Sequence, residues 1–373
     1  MARLEEVCEI LDSRRVPITA KDRVAGQYPY YGANGVQDYV ADYIFDDELV
    51  LLAEDGGHFG SSDKPIAYRV SGKCWVNNHA HVLKPKACID VDYLCYSLMF
   101  RDVSDIVNGA TRQKLTQADM RRIEIPLLPM DEQKTVVEKI NKVFELIALR
   151  KEQLAKLDQL AKSRFIELFG DPEHNEEAIP TLPMTELCEI IDGDRGTNYP
   201  KQEEFSGNGF CLFLNAKNVT ANGFSFENCM FITAEKDKLL RKGKLSRGDV
   251  VLTTRGTIGN LAFYDGSVPY EHIRINSGMV ILRMKRERIT ERFFIEQFKM
   301  QLASIKEKIA SGSAQPQLPI STMNKIVMLV PDVELQAQFV AFIEQTDKSK
   351  LAIQQSLDKL ELLKKALMQE YFG

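Results

Sequence analysis

Arg255 stands in the run Thr253-Thr-Arg-Gly-Thr-Ile-Gly-Asn260, where Gly256 and Gly259 let the backbone approach a ligand closely. Arginine presents a rigid fork of donors that matches the two major-groove acceptors of guanine. Asparagine and glutamine match adenine in the same way, and a carboxylate accepts from the amino group of cytosine. Thr254, Thr257 and Asn260 accompany Arg255 in this loop. Its counterpart in the first half of the chain is Glu54-Asp-Gly-Gly-His-Phe-Gly-Ser-Ser62, where His58 and Ser61 are the polar candidates. Such residues read polar edges, base edges among them. A structural hairpin explains each loop equally well, and both readings stand at this point.

Two further pairs of loops carry the same chemistry. Val76-Asn-Asn-His-Ala-His-Val82 offers Asn77, Asn78 and His79, and it aligns with Ile275-Asn-Ser-Gly-Met-Val280, which offers Asn276. Gly109-Ala-Thr-Arg-Gln-Lys114 offers Arg112, Gln113 and Lys114, while Gly312-Ser-Ala-Gln-Pro-Gln317 offers Gln315 and Gln317. Tyr31, Asn34, Lys217, Asn218 and Arg274 complete the candidate set. Signatures of bond-breaking chemistry are missing. The chain has no Gly-x-x-x-x-Gly-Lys-Ser/Thr, no His-Glu-x-x-His, no Gly-x-Ser-x-Gly and no Pro-Pro that could complete the base-holding motif of an adenine methyltransferase. Pro331-Asp332 sits at a predicted helix start, where the acid favours the dipole, rather than in a nuclease metal site. No catalytic residue and no metal ligand set is assigned. The seven cysteines form no Cys-x-x-Cys, and the five histidines are not at ligand spacing from them.

Charge bounds the partner. The net charge is −5, and acidic residues equal or outnumber basic ones in every large segment, which excludes a uniformly basic coat for nucleic acid. Phosphates would have to meet local clusters such as Lys236 to Arg247 or Arg283 to Arg292, or be met by another subunit. No run of eighteen apolar residues occurs, and the first residues lack the apolar stretch of a signal peptide, so a cytoplasmic protein without membrane partners is expected.

The elements that must position these loops occur twice. Gly109 to Gly170 matches Gly312 to Gly373 at an offset of 203, pairing Gln133 with Gln336, Val137 with Val340, Ile140 with Ile343, Leu154 with Leu357 and Leu160 with Leu363. Leu4-Glu-Glu-Val-Cys-Glu-Ile-Leu-Asp12 matches Met184-Thr-Glu-Leu-Cys-Glu-Ile-Ile-Asp192 at an offset of 180, and Glu48-Leu-Val-Leu-Leu52 matches Asp249-Val-Val-Leu-Thr253. So long a period means that a whole domain-plus-helix unit recurs. Val136, Ile140, Val143, Ile147, Leu154, Leu157, Ala161 and Leu168 alternate three and four apart, the seam of a long helix. The repeat places Phe339, Ile343, Thr346, Lys350, Leu357, Leu360, Lys364 and Tyr371 on a second seam, with Ile353 adding one position. Each helix covers about 35 residues, roughly 50 Å, and neither can bury its seam alone. The fold class is therefore α+β: two similar mixed α/β domains separated by two long antiparallel coiled-coil helices, related by a pseudo-two-fold.

The chain resembles the specificity subunit of type I restriction-modification systems. The resemblance rests on Tyr28-Pro-Tyr-Tyr-Gly-Ala-Asn-Gly35, Val76-Asn-Asn-His-Ala-His-Val82, Gly109-Ala-Thr-Arg-Gln-Lys-Leu115, Pro129-Met-Asp-Glu-Gln133, Thr254-Arg-Gly-Thr-Ile-Gly259 and Glu167-Leu-Phe-Gly-Asp-Pro172. It implies a first target-recognition domain at 1–130, a central spacer helix at 131–170, a second target-recognition domain at 171–332 and a C-terminal spacer helix at 333–373. It also implies a bipartite site in double-stranded DNA, two modification subunits that methylate adenine from S-adenosylmethionine, and restriction subunits driven by ATP with Mg. This chain itself would then bind no cofactor. The first domain is the shorter of the two, which departs from an even repeat. A coiled-coil adaptor that binds only proteins, and a self-contained DNA-modifying enzyme, are the competing readings.

Overall fold

The computed structural model describes residues 1–373 except 62, 110–112, 173, 176, 286 and 311–316, with the backbone alone for 308–310. The chain divides into two compact units, Met1–Leu154 with Ala352–Gly373, and Ala155–Leu351.

In the first unit the strands β1 (Cys8–Ile10), β2 (Ala25–Gly32), β3 (Gly35–Val40), β4 (Phe45–Ala53), β5 (Ala67–Val76) and β6 (Ala80–Pro85) form one sheet in the order β1-β6-β4-β5-β2-β3. The sheet is antiparallel except where β2 runs parallel to β5. Strand β4 shows why the sequence folds this way. Its run Leu49-Val-Leu-Leu-Ala53 is wholly buried, and the two-residue period sends Val50 and Leu52 to one core and Leu49 and Leu51 to another. The first core includes Tyr93, Leu94 and Leu98 of helix α1 (Val91–Met99), and the second includes Val70, Cys74 and Val82. Asp90 caps α1 by accepting from the N–H groups of Asp92 and Tyr93.

Helix α2 (Met130–Phe169) begins in this unit. Val136, Val137 and Ile140 enter the α1 core, and Phe372 joins them from the C-terminal helix with its ring 5.1 Å from that of Tyr93. Val143 and Ile147 meet Leu357, with Leu154 and Leu360 beside them. The helix segments run antiparallel here: Lys139 pairs with Tyr371, and Lys151 with Glu361.

The second unit rebuilds the plan with more loops. Strands β7 (Cys188–Asp192), β10 (Asp249–Thr253), β11 (Leu261–Phe263) and β13 (Met279–Met284) form a sheet in the order β7-β13-β10-β11. Strands β8 (Cys211–Leu214), β9 (Phe231–Ile232) and β12 (Ile273–Ile275) form a second, β9-β8-β12, in which β8 and β12 are parallel. Val250 and Leu252 of β10 face helix α3 (Glu291–Ala310), while Val251 faces Leu212, Leu214 and Ile273. The end of α2 and the start of α4 (Val333–Phe372) close this core. Phe165 and Phe169 pack within 6 Å of Phe293 and Phe339, and Lys350 pairs with Asp158 at 2.6 Å.

Two expectations need correction. The buried seam ends on Phe165 and Phe169, while Leu168 is only half-buried, because the aromatic pair fits the space between α3 and α4. Both helices are also longer than the spacing suggested, 40 residues each. The first stops at Gly170, whose φ of +70° suits a residue without Cβ. Among the described residues no helix is long and apolar enough to cross a membrane.

Candidate nucleic-acid interface

Equivalent backbone bonds set the alignment of the two units. The Leu115 N–H donates to the Glu54 carbonyl and the Leu318 N–H to the Thr254 carbonyl, while the N–H groups of Glu54 and Thr254 donate to the carbonyls of His79 and Gly278. Strand β4 therefore aligns with β10 at an offset of 200, one less than the apolar runs suggested, and Asp55 occupies the place of Arg255. The bridges Asp55 to Lys114 and Arg255 to Gln317 are the same contact in the two units.

In the first unit the loops converge on Glu54-Asp-Gly56. Asn34 Nδ2 donates to the Gly56 carbonyl at 3.0 Å, the Gly56 N–H to the Gln113 carbonyl, and His79 Nδ1 lies 2.7 Å from Asp55. Asn34, His58, Asn78, Gln113 and Lys114 are exposed, while Tyr31, Ser61 and His79 are half-buried. Tyr31 lies against Tyr68, with centroids 5.8 Å apart, and the Ser61 hydroxyl accepts from the N–H groups of Asp63 and Lys64. Asn77 is buried and spent within the chain: its Oδ1 accepts from the His79 N–H and its Nδ2 donates to Gln37. Arg112 lies outside the described residues.

Beneath this surface is a buried polar network that the sequence reading missed. His81 places Nδ1 2.7 Å from Asp12 and Nε2 2.9 Å from the Leu115 carbonyl, so it ties strand β6 to the segment that carries Gln113 and Lys114. Arg15 reaches Glu54 at 2.5 Å and Lys114 reaches it at 2.9 Å. Burial opposes the charge on Asp12, but hydrogen bonds from His81, the Val82 N–H and Gln117 outweigh it and hold this carboxyl below its ordinary value. Glu54 is held down likewise, with Lys114 and Arg15 outweighing desolvation. Asp12, Glu54 and His81 are the one group among the described residues with potential metal-ligand atoms within 4.8 Å of one another. Arg15 and Lys114 already balance the two carboxylates, so the group fits a latch better than a cation site.

In the second unit the loops around 193–196, 241–243, 254–257, 276–278 and Gln317 come together. Arg255 is exposed, its backbone N–H donates to the Gly278 carbonyl and its Nε donates to Gln317 Oε1 at 3.2 Å. Thr257, Lys217 and Gln317 are also exposed. Asn276 repeats the turn of Asn77, accepting from the Gly278 N–H. Other candidates are spent inside. Arg274 is 5 % exposed, with Nε 2.5 Å from Asp237 and its terminal nitrogens on the carbonyls of Lys242 and Asp237. Asn218 is fully buried and bonds the carbonyls of Ser225 and Asn228. Thr254 donates to the Gly278 carbonyl, and Asn260 to that of Val219. These side chains shape the loops, and the burial of Arg274 and Asn218 removes them from a ligand's reach. Gln315 lies outside the described residues.

The same packing shows which cations of the charge clusters are available. Lys236, Lys244, Arg283 and Arg292 are paired with Glu204, Asp237, Asp249 and Asp347. Arg241 and Lys242 are exposed, and their backbone N–H groups donate to Asp194. The Gly196 N–H does the same, and these bonds hold the Asp194 carboxyl below its usual value. Asp194 thereby presents Arg241 and Lys242 beside the Arg255 loop, while Arg195 is paired with Asp192 and donates to the Ser277 carbonyl. The position of Asp194 in Gly193-Asp-Arg-Gly196 is the only local signal of that role.

Comparisons with known proteins agree with this architecture. The model of the type I restriction modification DNA specificity domain matches residues 1–159 and 181–363. A putative type I restriction enzyme specificity subunit of Haemophilus influenzae is 26 % identical over 378 residues, covering 98 % of this chain and 94 % of that protein. A type I restriction enzyme specificity subunit of Methanocaldococcus jannaschii is 24 % identical, covering 99 % and 90 %. The crystal structure of a type I restriction-modification S subunit from M. genitalium superposes with a TM-score of 0.57 at 15 % identity, covering all of this chain and 95 % of that one. A chain from a study of complex assembly and conformational transition of the type I R-M system gives 0.57 at 16 %, with 96 % of it covered. With two domain matches that take in most of its length, the chain belongs to the family of type I restriction-modification DNA specificity subunits.

Proposed function

We propose that this chain reads a bipartite sequence in double-stranded DNA, the first unit meeting one half-site and the second unit the other. The observation that carries the reading is the repeated loop platform, built from the same backbone bonds in both units but presenting Asp55 and Lys114 in one and Arg255 and Gln317 in the other. A common frame with different donors and acceptors is what two different half-sites demand. Lys217, Arg241 and Lys242 supply phosphate contacts beside the second platform, and partner subunits supply the remainder, which reconciles the acidic net charge with DNA as ligand.

Chemistry then lies in partners. Two modification subunits dock on helices α2 and α4, a repeated surface suited to two copies, and they use S-adenosylmethionine to methylate adenine. Restriction subunits use ATP and magnesium. Sequencing methylated adenines in DNA from a host that expresses this chain with its modification subunits tests the reading. One bipartite motif that disappears when this chain is omitted is expected. Methylation without a motif, or a motif that survives the omission, would overturn it.

A further inference from the structure

At the starts of the parallel strands β8 and β12, a cleft of about 800 Å³ opens on the second unit. It lies at the opposite end of these strands from the reading loops: His272 precedes β12, whereas Asn276 to Gly278 follow it. Its walls are aromatic. Phe210, 45 % exposed, stacks on His272 with centroids 4.2 Å apart, and Tyr270 meets Phe226 edge-on at 5.1 Å. Two acids stand at the cleft, Glu227 and Glu271, both exposed and neither in an ion pair with the described residues. Among the described residues no lysine or arginine lines it. The nearby Arg247 is already committed, lying over the Tyr264 ring and donating to the carbonyls of Asp265 and Tyr270.

Aromatic faces attract cations, and two carboxylates without counter-charge make the same demand. Phosphate is repelled for the same reason, so the cleft is unsuited to the DNA backbone. We propose that it receives an arginine side chain of a protein partner. The planar guanidinium would lie on an outer face of the Phe210–His272 stack and donate to Glu227 and Glu271, an arrangement that an ammonium group cannot match. This places a protein-docking point on the second unit, separate from its base-reading loops.

The test uses the full-length chain and the tripeptide acetyl-Gly-Arg-Gly-amide, followed by saturation-transfer NMR and titration calorimetry. The arginine peptide is expected to bind, and its citrulline counterpart, flat but uncharged, to bind at least tenfold more weakly. The variant carrying Glu227→Gln and Glu271→Gln should lose about tenfold in affinity with an unchanged melting curve, because both side chains are exposed and unpaired. Adenosine monophosphate and thymidine are titrated in parallel. Binding of the nucleotide or nucleoside in preference to the arginine peptide makes the cleft a base-stacking site and overturns the proposal. Binding of neither peptide, equal binding of both, or an unaffected double variant overturns it as well.

Discussion

Gln133 and Gln336 are both 0 % exposed, and they hold the starts of the two long helices to their units through three and four hydrogen bonds respectively. Gln133 Oε1 accepts from the Asp90 N–H at 2.9 Å, and its Nε2 donates to the carbonyls of Cys88 and Leu128 at 3.0 and 2.8 Å. Gln336 repeats the pattern with the Thr290 N–H and the carbonyls of Arg288 and Pro331, and its Oε1 also accepts from the Thr290 hydroxyl at 3.4 Å. Gln133→Leu keeps the bulk but strands one backbone donor and two acceptors in a dry site. At about 1 kcal/mol net per bond, and more where a stranded group is fully desolvated, the loss is roughly 3 kcal/mol or above. Urea slopes of about 1–3 kcal/mol per molar convert this to a midpoint shift of about 1 M or more. Trp75, the single tryptophan, lies in the first unit and reports on it. Its fluorescence midpoint should therefore fall in Gln133→Leu and move much less in Gln336→Leu, whose effect should appear in the helical circular dichroism. Gln133→Glu should be as damaging, since one carboxylate oxygen would face two carbonyls. The exposed Gln338→Leu serves as a control within about 0.5 kcal/mol. A Gln133→Leu protein as stable as that control would refute the reasoning.

Other outcomes follow from the same structure. Arg255→Ala should relax one base of the second half-site by about 1–3 kcal/mol, the worth of a bidentate arginine contact, and leave the first half-site intact; uniform weakening of all duplexes at two salt concentrations would assign Arg255 to the backbone instead. Each unit contains a segment of both helices, so a heptad inserted after Leu154 and another after Leu351 should change the gap between half-sites by about 10 Å, or about three base pairs, at 1.5 Å per residue. Methylome sequencing that found altered half-sites and an unaltered gap would refute the idea that the two long helices set the gap. Asp12 and Glu54 have folded-state values below their ordinary ones, so their contribution to stability is present above the unfolded carboxylate range, near pH 4, and is lost as pH falls through the lower folded value. Asp12→Asn should flatten the acid limb of the stability curve followed by Trp75 fluorescence, and an unaltered limb would remove Asp12 from the account.

Hydrophobic spacing carried most of the architecture into view because apolar side chains declare their face by period alone. Val136 and Ile140 return at Phe339 and Ile343, and Gln133 at Gln336, each in an equivalent place. Polar roles were less legible, because whether a donor is free depends on partners far along the chain. Arg274 meets Asp237 across 37 positions, and Asn218 folds back on its own loop, yet both look as available in sequence as Arg255 does. The cluster from Lys236 to Arg247 was visible as charge, but only packing separates the paired Lys236 and Lys244 from the exposed Arg241 and Lys242. Strand register was off by one in β10 for a related reason. A strand buried on both faces offers no polar alternation to mark its phase.

Keeping the backbone frame constant lets the two platforms diverge at little cost to folding, and this can be tested by exchange. Asp55 and Arg255 occupy one position, as do Lys114 and Gln317. The frame bonds near them use main-chain atoms of Glu54, Thr254, Leu115 and Leu318, which a side-chain exchange leaves alone. Asp55→Arg with Lys114→Gln should therefore fold, since Glu54 keeps Arg15 as its counter-charge after Lys114 is removed. His79 loses its 2.7 Å contact with Asp55, so a modest loss of stability is expected. If the bridge pair is the reading unit, the first half-site should gain a preference for guanine at one base, worth about 1–3 kcal/mol, with the second half-site unchanged. A folded double variant whose methylated motif is identical to that of the parent would show that bases are read elsewhere on the platform, and Asn78, His58 and Gln113 would be the next side chains to exchange.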